Sequence, residues 1–526
     1  MSNKEKFIEE INQGYTFKGD TITLGAAMLD GKPVEGTVVK LPLKTLNRHG
    51  LIAGATGTGK TKSLQVMAEC LSDASVPVML MDIKGDLSGL AAPGETKDFI
   101  LQRTDAAGVS YEPTAFPVEL LSLSDEKGTR LRATVSEFGP ILLSKILGLN
   151  DTQEGILSVI FKYCDDNGLP LVDLKDFVKT IQYLGDEGKD AFQEAYGSMS
   201  SSSVGTILRK TIELQHQGGD IFFGEKSFDV DDLMRVDSSG KGYISIVRVT
   251  DLQDRPKLFS TFMLSLLAEL YQSLPEAGDE DRPKLVMIID EAHLVFKEAS
   301  KALLDQIESV VKLIRSKGVG IYFCTQNPQD IPAAVLSQLG LKIQHALRAF
   351  TAKDRKAIKL AADNYPLSDY YETSEVLTQL GIGEALISAL NEKGIPTPLV
   401  QTYMCPPRSR MDVLSEKEID DVVAKSKIAA EYNEKIDRES AYEILAKKME
   451  VIAQEEAEAK KAKGGSTATA KRRRPKQEKS MMQEILGSSA AHQVGRTAAT
   501  LITRSLLGAL GISTTKHRRS KKSNWF

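Results

Sequence analysis

Cysteine is scarce in this chain: Cys70, Cys164, Cys324 and Cys405 are scattered through 526 residues with no Cys-x-x-Cys spacing. That pattern excludes a disulfide framework and a zinc ribbon as sources of stability, and it fits a reducing cytosol. The six histidines show no metal-ligand spacing, so no zinc chemistry is expected. Long hydrophobic runs are missing as well. No stretch approaches the roughly 18 apolar residues of a membrane span, and the opening MSNKEKFIEE is charged where a secretory leader carries an apolar segment. The expectation is a cytoplasmic protein with no integral membrane segment.

Net charge is small, at −4, but charge is unevenly placed. Residues 471–526 carry 13 Lys/Arg against two acids, a net +11 that leaves −15 on the rest of the chain. A mostly acidic body does not present a broad nucleic-acid surface, although a groove can be locally basic, so net charge leaves the partner open. What is abundant is ordinary globular material, 41% apolar and 26% charged residues, in a length that allows about two to four domains.

Periodicity divides the chain. Residues 1–44 carry short extended segments such as Thr21-Ile22-Thr23-Leu24 and Gly36-Thr37-Val38-Val39. Residues 45–87 run strand, glycine-rich loop, helix (Ser63 to Leu71) and strand (Val76 to Met81), a βαβ pattern. Residues 88–240 change to helical periodicity broken by polar loops and predict an inserted, mainly helical subdomain. Strand and helix alternation resumes over 241–410, with apolar strands at 243–247, 285–289 and 320–324 and helices at 258–274 and 300–317. The fold class expected is α/β, doubly wound, with a mainly parallel sheet. Residues 411–463, rich in Glu, Lys and Ala, predict charged helices. From Gly464 onward the chain predicts a flexible basic tail with a short amphipathic segment, Ala498 to Ile512.

Two motifs carry chemistry. Gly54-Ala55-Thr56-Gly57-Thr58-Gly59-Lys60-Thr61 fits G-x-x-x-x-G-K-[ST] between an apolar strand and a helix. Glycines there let consecutive backbone N–H groups close around phosphates at a helix N-terminus. Lys60 supplies a point charge to the β- and γ-phosphates, and Thr61 offers a hydroxyl to Mg²⁺. With the adjoining Lys62, this is the expected nucleotide-binding segment, and the cofactors expected are ATP and Mg²⁺. In KLVMIIDEAHLVF, Lys284 to Phe296, two acids end an apolar strand. Asp290 is the candidate for the Mg²⁺ shell and Glu291 for orienting the attacking water, so hydrolysis is expected. Two solvated acids at a strand end would be the competing interpretation of that segment taken alone.

Gln326 follows the next apolar strand and is a candidate sensor of the γ-phosphate; a polar residue opening the Asn327-Pro328 turn explains it equally well. Asp82-Ile83-Lys84-Gly85-Asp86, at the end of the second strand, is open in the same way. Arg315, near the end of the helix after the acid pair, and Arg348, after the next strand-like segment, are both candidates for an arginine finger, with Arg315 favoured. Most arginines at helix ends only complement the dipole. His293 is read as a packing or coupling residue.

Taken together, GATGTGKT, DIKGD, IIDEAHLVF and IRSKGVGIYFCTQNPQDIPAAVLSQLG resemble the HerA/FtsK superfamily of ring ATPases. Within it, TRLRATVSEFGPILLSKILGLNDTQEG, GGDIFFGEKSFDVDDLM and IDRESAYEILAKK look like an uncharacterised bacterial HerA-like group, over nearly the whole chain. The resemblance implies a RecA-like P-loop core, nucleotide sites between subunits, Arg315 acting in trans, and a homohexamer that pumps a polymer, DNA being the expected track. Members of that family usually begin with a β-barrel docking domain, whereas about 40 residues precede the P-loop strand here, so nuclease pairing through such a barrel is not expected. Two alternatives remain: a secretion-type motor moving protein, and an ATP-dependent scaffold whose basic tail binds nucleic acid or an anionic membrane.

Overall fold

In the computed structural model, residues 2–463 are described, apart from 251–254, 279, 297–300, 435 and 437. The tail from Gly464, including Ala498 to Ile512, lies outside the described residues. The chain forms two compact units. One comprises residues 1–133 and 216–436; the other comprises residues 134–215 and the described part of the chain after 436.

The first unit is built on a twelve-stranded sheet. Its strands are β1 (Thr21–Leu29), β2 (Lys32–Pro42), β3 (Gly50–Ala53), β4 (Val78–Asp82), β5 (Val118–Ser122), β6 (Thr129–Arg130), β7 (Ile244–Arg248), β8 (Leu285–Ile289), β9 (Val319–Thr325), β10 (Leu341–Gln344), β11 (Glu384–Ser388) and β12 (Val400–Met404). Their spatial order is β2-β1-β12-β11-β10-β3-β9-β8-β4-β7-β5-β6. Every pair from β10 to β6 is parallel, and the four pairs from β2 to β10 are antiparallel. The α/β, mainly parallel expectation therefore holds. The parallel strands β3, β4 and β8 are buried at every position, which is why they read as continuous apolar runs rather than alternating ones. Each fully buried Leu, Ile, Val or Met contributes about 1.5–3 kcal/mol relative to exposure.

Four features differ from the sequence reading. The helix Asn3–Gly14, closed by a capping box between Ser2 and Glu5, was not anticipated. The segments expected to be short over residues 15–43 form a long antiparallel hairpin, turned by Asp30 and Gly31, both at positive φ (51° and 72°). Within the stretch read as a helical insert, β5 and β6 instead extend the main sheet beyond β7. Strands β3 and β4, read as one βαβ unit, are not neighbours: β9 and β8 lie between them.

The second unit is helical. The helices Val135–Leu147, Asp151–Asn167, Leu174–Gly185, Lys189–Tyr196 and Ser201–Leu214 are joined by the later helix Ala441–Lys463. Ser440 Oγ and the Tyr442 N–H both donate to Asp176, tying the late helix to Leu174–Gly185.

Candidate active site

Because β3, β4, β8, β9 and β10 are parallel, their carboxyl ends open on one edge of the sheet, the edge where open α/β folds gather ligands. The loop Gly54–Gly59 leaves β3 there. Both neighbouring strands anchor it: the Gly54 N–H donates to Thr325 O at 3.3 Å and the Ala55 N–H to Ala346 O at 2.8 Å. Gly59 sits at φ 109° as the N-cap of the helix Lys60–Asp73, a conformation that favours glycine. A Cβ on Gly54 would stand 2.5 Å from the Cβ of His345, so this glycine is required by close approach. The Gly383 N–H donates to Thr58 O at 3.0 Å and backs the loop from the β11 side.

Lys60 is buried, with Nζ curled onto Gly54 O at 2.6 Å and Ala55 O at 3.2 Å. Burial lowers its affinity for a proton, while Glu291 and Asp290 oppose that effect. Thr61 Oγ1 donates to Asp86 Oδ2 at 3.3 Å. Lys62 is not brought to the loop: its Nζ donates to Met411 O at 2.5 Å, beside the Gln65 amide on Arg410 O. Lys62, the third residue of the helix and expected in the nucleotide-binding segment, thus has its ammonium engaged away from the loop.

Strand β8 delivers the acids. Asp290 is 2% exposed, and its Oδ2 is buried with no hydrogen-bond partner. Burial raises the carboxyl above its ordinary range; the Lys84 ammonium and the Cys324 thiol counter it. Glu291 has a positive φ of 45°, an uncommon conformation for a non-glycine residue, which turns the chain sharply at the strand end. Burial pushes the Glu291 carboxyl upward, yet Lys84, Gln326 and His293 outweigh burial and hold it below the usual carboxylate value. Gln326 Nε2 donates to Glu291 Oε1 at 3.3 Å, and Lys84 Nζ pairs with the same oxygen at 2.5 Å. His293 Nδ1 stands 3.3 Å from Glu291 Oε2.

Thus Lys60, Thr61, Asp290, Glu291 and Gln326 share one sheet edge, and Arg315 does not. Arg315 precedes β9, whose seven residues separate it from that edge by roughly 20 Å. Arg348 lies after β10 and donates to Thr378 O at 3.0 Å. Sequence reasoning missed two residues. Lys84 had only its position in DIKGD to signal it. His345, fully buried against the glycine loop and held near a pKa of about 4 by burial, had no signal. Its Nδ1 lies 2.8 Å from Glu384 O.

The donor set fits a nucleotide with Mg²⁺. Glycine positions leave a cradle that a Cβ would disrupt, one lysine and one threonine flank it, and Asp290 keeps a buried oxygen without a hydrogen-bond partner. A parallel sheet with this loop and acid pair defines a RecA-like P-loop ATPase.

The family model of the helicase HerA-like C-terminal region matches residues 28–516, and the chain belongs to that family. It is 22% identical over 388 residues to the DNA double-strand break repair helicase HerA of Saccharolobus solfataricus, covering 72% of this chain and 68% of that protein. It is 25% identical over 404 residues to the DNA import protein CedB of Sulfolobus acidocaldarius, covering 73% and 56%. The chain thus spans between about half and two thirds of these relatives' lengths. The fold is shared with the bacterial conjugative coupling protein TrwBdeltaN70 at a TM-score of 0.50 and 13% identity, over 77% of this chain and 95% of that one. Among the described residues, no helix is long and apolar enough to cross a membrane.

Proposed function

We propose that this chain hydrolyses Mg²⁺-bound ATP as a homohexameric ring and uses the cycle to move DNA. The observation that carries the proposal is the convergence of Lys60, Thr61, Asp290 and Glu291 on one sheet edge, with one oxygen of each acid lacking a hydrogen-bond partner. Bound nucleotide and cation supply the phosphoanhydride and the neutralising charge. For its part, the chain holds the phosphates with the Gly54–Gly59 amides and Lys60, and the cation with Thr61 and Asp290. Glu291 orients the attacking water and accepts its hydrogen bond, while Gln326 steadies that carboxylate from the next strand. Arg315, remote from its own chain's loop, is suited to reach a neighbouring subunit's nucleotide. The relatives' names, a DNA repair helicase and a DNA import protein, favour DNA as the track.

A second reading, a motor moving protein, draws on the −15 charge of residues 1–470. The two are separated by measuring ATP hydrolysis at low salt with and without double- and single-stranded DNA, beside Glu291→Gln. DNA-stimulated hydrolysis that falls by about 100-fold or more in the variant is expected. Glu291-dependent hydrolysis indifferent to DNA would reject the DNA track.

A further inference from the structure

Lys84 stands outside both motifs and yet is the residue most directly joined to the acid pair. Its backbone is held rigidly: the buried Asp82 carboxylate accepts the N–H groups of Gly85 at 2.7 Å, Asp86 at 3.2 Å and Leu87 at 3.1 Å, closing the turn after β4. Strand β4 lies beside β8, with Met81 level with Ile289, so this turn faces the Asp290-Glu291 step across a single strand spacing. From there Lys84 Nζ reaches Glu291 Oε1 at 2.5 Å and Asp290 Oδ2 at 3.9 Å. Glu291 Oε1 is thereby engaged twice, by Lys84 and by the Gln326 amide at 3.3 Å. Glu291 Oε2 is buried and has no hydrogen-bond partner.

A carboxylate free to rotate about its last torsion would offer either oxygen to water, and that torsion is soft. One oxygen clamped by an ammonium fixes the orientation and leaves Oε2, beside His293 Nδ1 at 3.3 Å, as the acceptor without a hydrogen bond. We infer that Lys84 is a positioning residue for Glu291, clamping Oε1 so that Oε2 is the oxygen presented to the attacking water. The inference rests on the reading of Glu291 as the water-orienting group. A charge-assisted pair with a side chain only 7% exposed is strong enough to set that orientation. Lys84 does not hold the nucleotide in this role; its effect passes through Glu291.

The test uses the full chain with Lys84→Ala and Lys84→Arg, each alone and combined with Glu291→Gln. Lys84→Ala is expected to lower kcat about tenfold or more while KM for ATP and the affinity for a fluorescent ADP stay within about twofold; Lys84→Arg recovers most of the rate. In the Glu291→Gln background, Lys84→Ala is expected to lower the residual rate no further. The shift it causes in the thermal unfolding midpoint should shrink there too, because the charged partner is gone. Equal losses of rate in both backgrounds, or weaker ADP binding with kcat unchanged, would overturn the clamp. Were the wild-type chain to show no hydrolysis, the enzymatic reading would be the one to fail. The unfolding cycle would still decide the pairing: coupled shifts support the clamp and additive ones overturn it.

Discussion

At Gly54 the demand for glycine is steric, because the Cβ of His345 occupies the place where a side chain would begin. His345 cannot yield by rotating a flexible end, since the clash is with its first side-chain atom and its ring lies buried with Nδ1 close to Glu384 O. Gly54→Ala is therefore expected to displace the loop and weaken ADP affinity at least about tenfold in a fluorescence titration, with an overpacking cost of about 1–3 kcal/mol in denaturant unfolding. The same scale shows what sequence can and cannot reveal. The glycine loop was legible because phosphate-binding amides must be consecutive in the chain, and Asp290 with Glu291 because adjacent acids end an apolar run. Lys84 was not legible as the partner of Glu291. The two are more than 200 residues apart and meet only because β4 and β8 pair.

Between the glycine loop's strand and the helix Lys301–Ile314, which ends just before Arg315, one side chain acts as a clip. His49, at φ 58° just before β3, accepts the Ile321 N–H on Nδ1 at 3.0 Å and donates from Nε2 to Val311 O at 2.8 Å. These partners require the neutral ring, and burial holds its pKa at about 4. The folded value lies below the unfolded value of about 6.5, so the stability linked to this ring is complete above pH 6.5 and is lost as pH falls from 6.5 toward 4. His49→Asn tolerates the left-handed backbone and removes the titration. Between pH 7 and pH 5 the wild-type chain is expected to lose about 2 kcal/mol more unfolding free energy than this variant in urea titrations. Equal losses in both would show that the ring is not buried neutral. Element positions along the parallel strands were read closely from apolar runs, as with Leu285–Ile289. The Asn3–Gly14 helix was missed because its apolar residues are few, Phe7 and Ile11 carrying its buried face.

For the whole molecule, the placement of Arg315 is the informative fact. It sits at the end of the sheet opposite its own glycine loop, so a role in phosphoryl transfer requires a second copy of the chain. Arg315→Ala is expected to lower kcat about 1,000-fold while leaving ADP affinity within about twofold. Mixing Arg315→Ala subunits with Glu291→Gln subunits should then recover measurable hydrolysis, because some interfaces combine an intact arginine with an intact glutamate. Recovery no greater than the sum of the separate variants would exclude action across an interface.

Chain order alone determined that this protein carries a phosphate loop, an acid-ended strand and a mainly parallel α/β core. Each of these depends on neighbours in sequence: consecutive amides, adjacent carboxylates and continuous apolar strands buried on both faces. Only the tertiary structure decided that β9 and β8 lie between β3 and β4, and that β5 and β6 extend the sheet. It likewise determined that Lys62 turns to Met411, that Lys84 grips Glu291 and that Arg315 stands apart. Those outcomes follow from strand order and register, which arise from packing among distant segments and leave no periodicity in the chain to read.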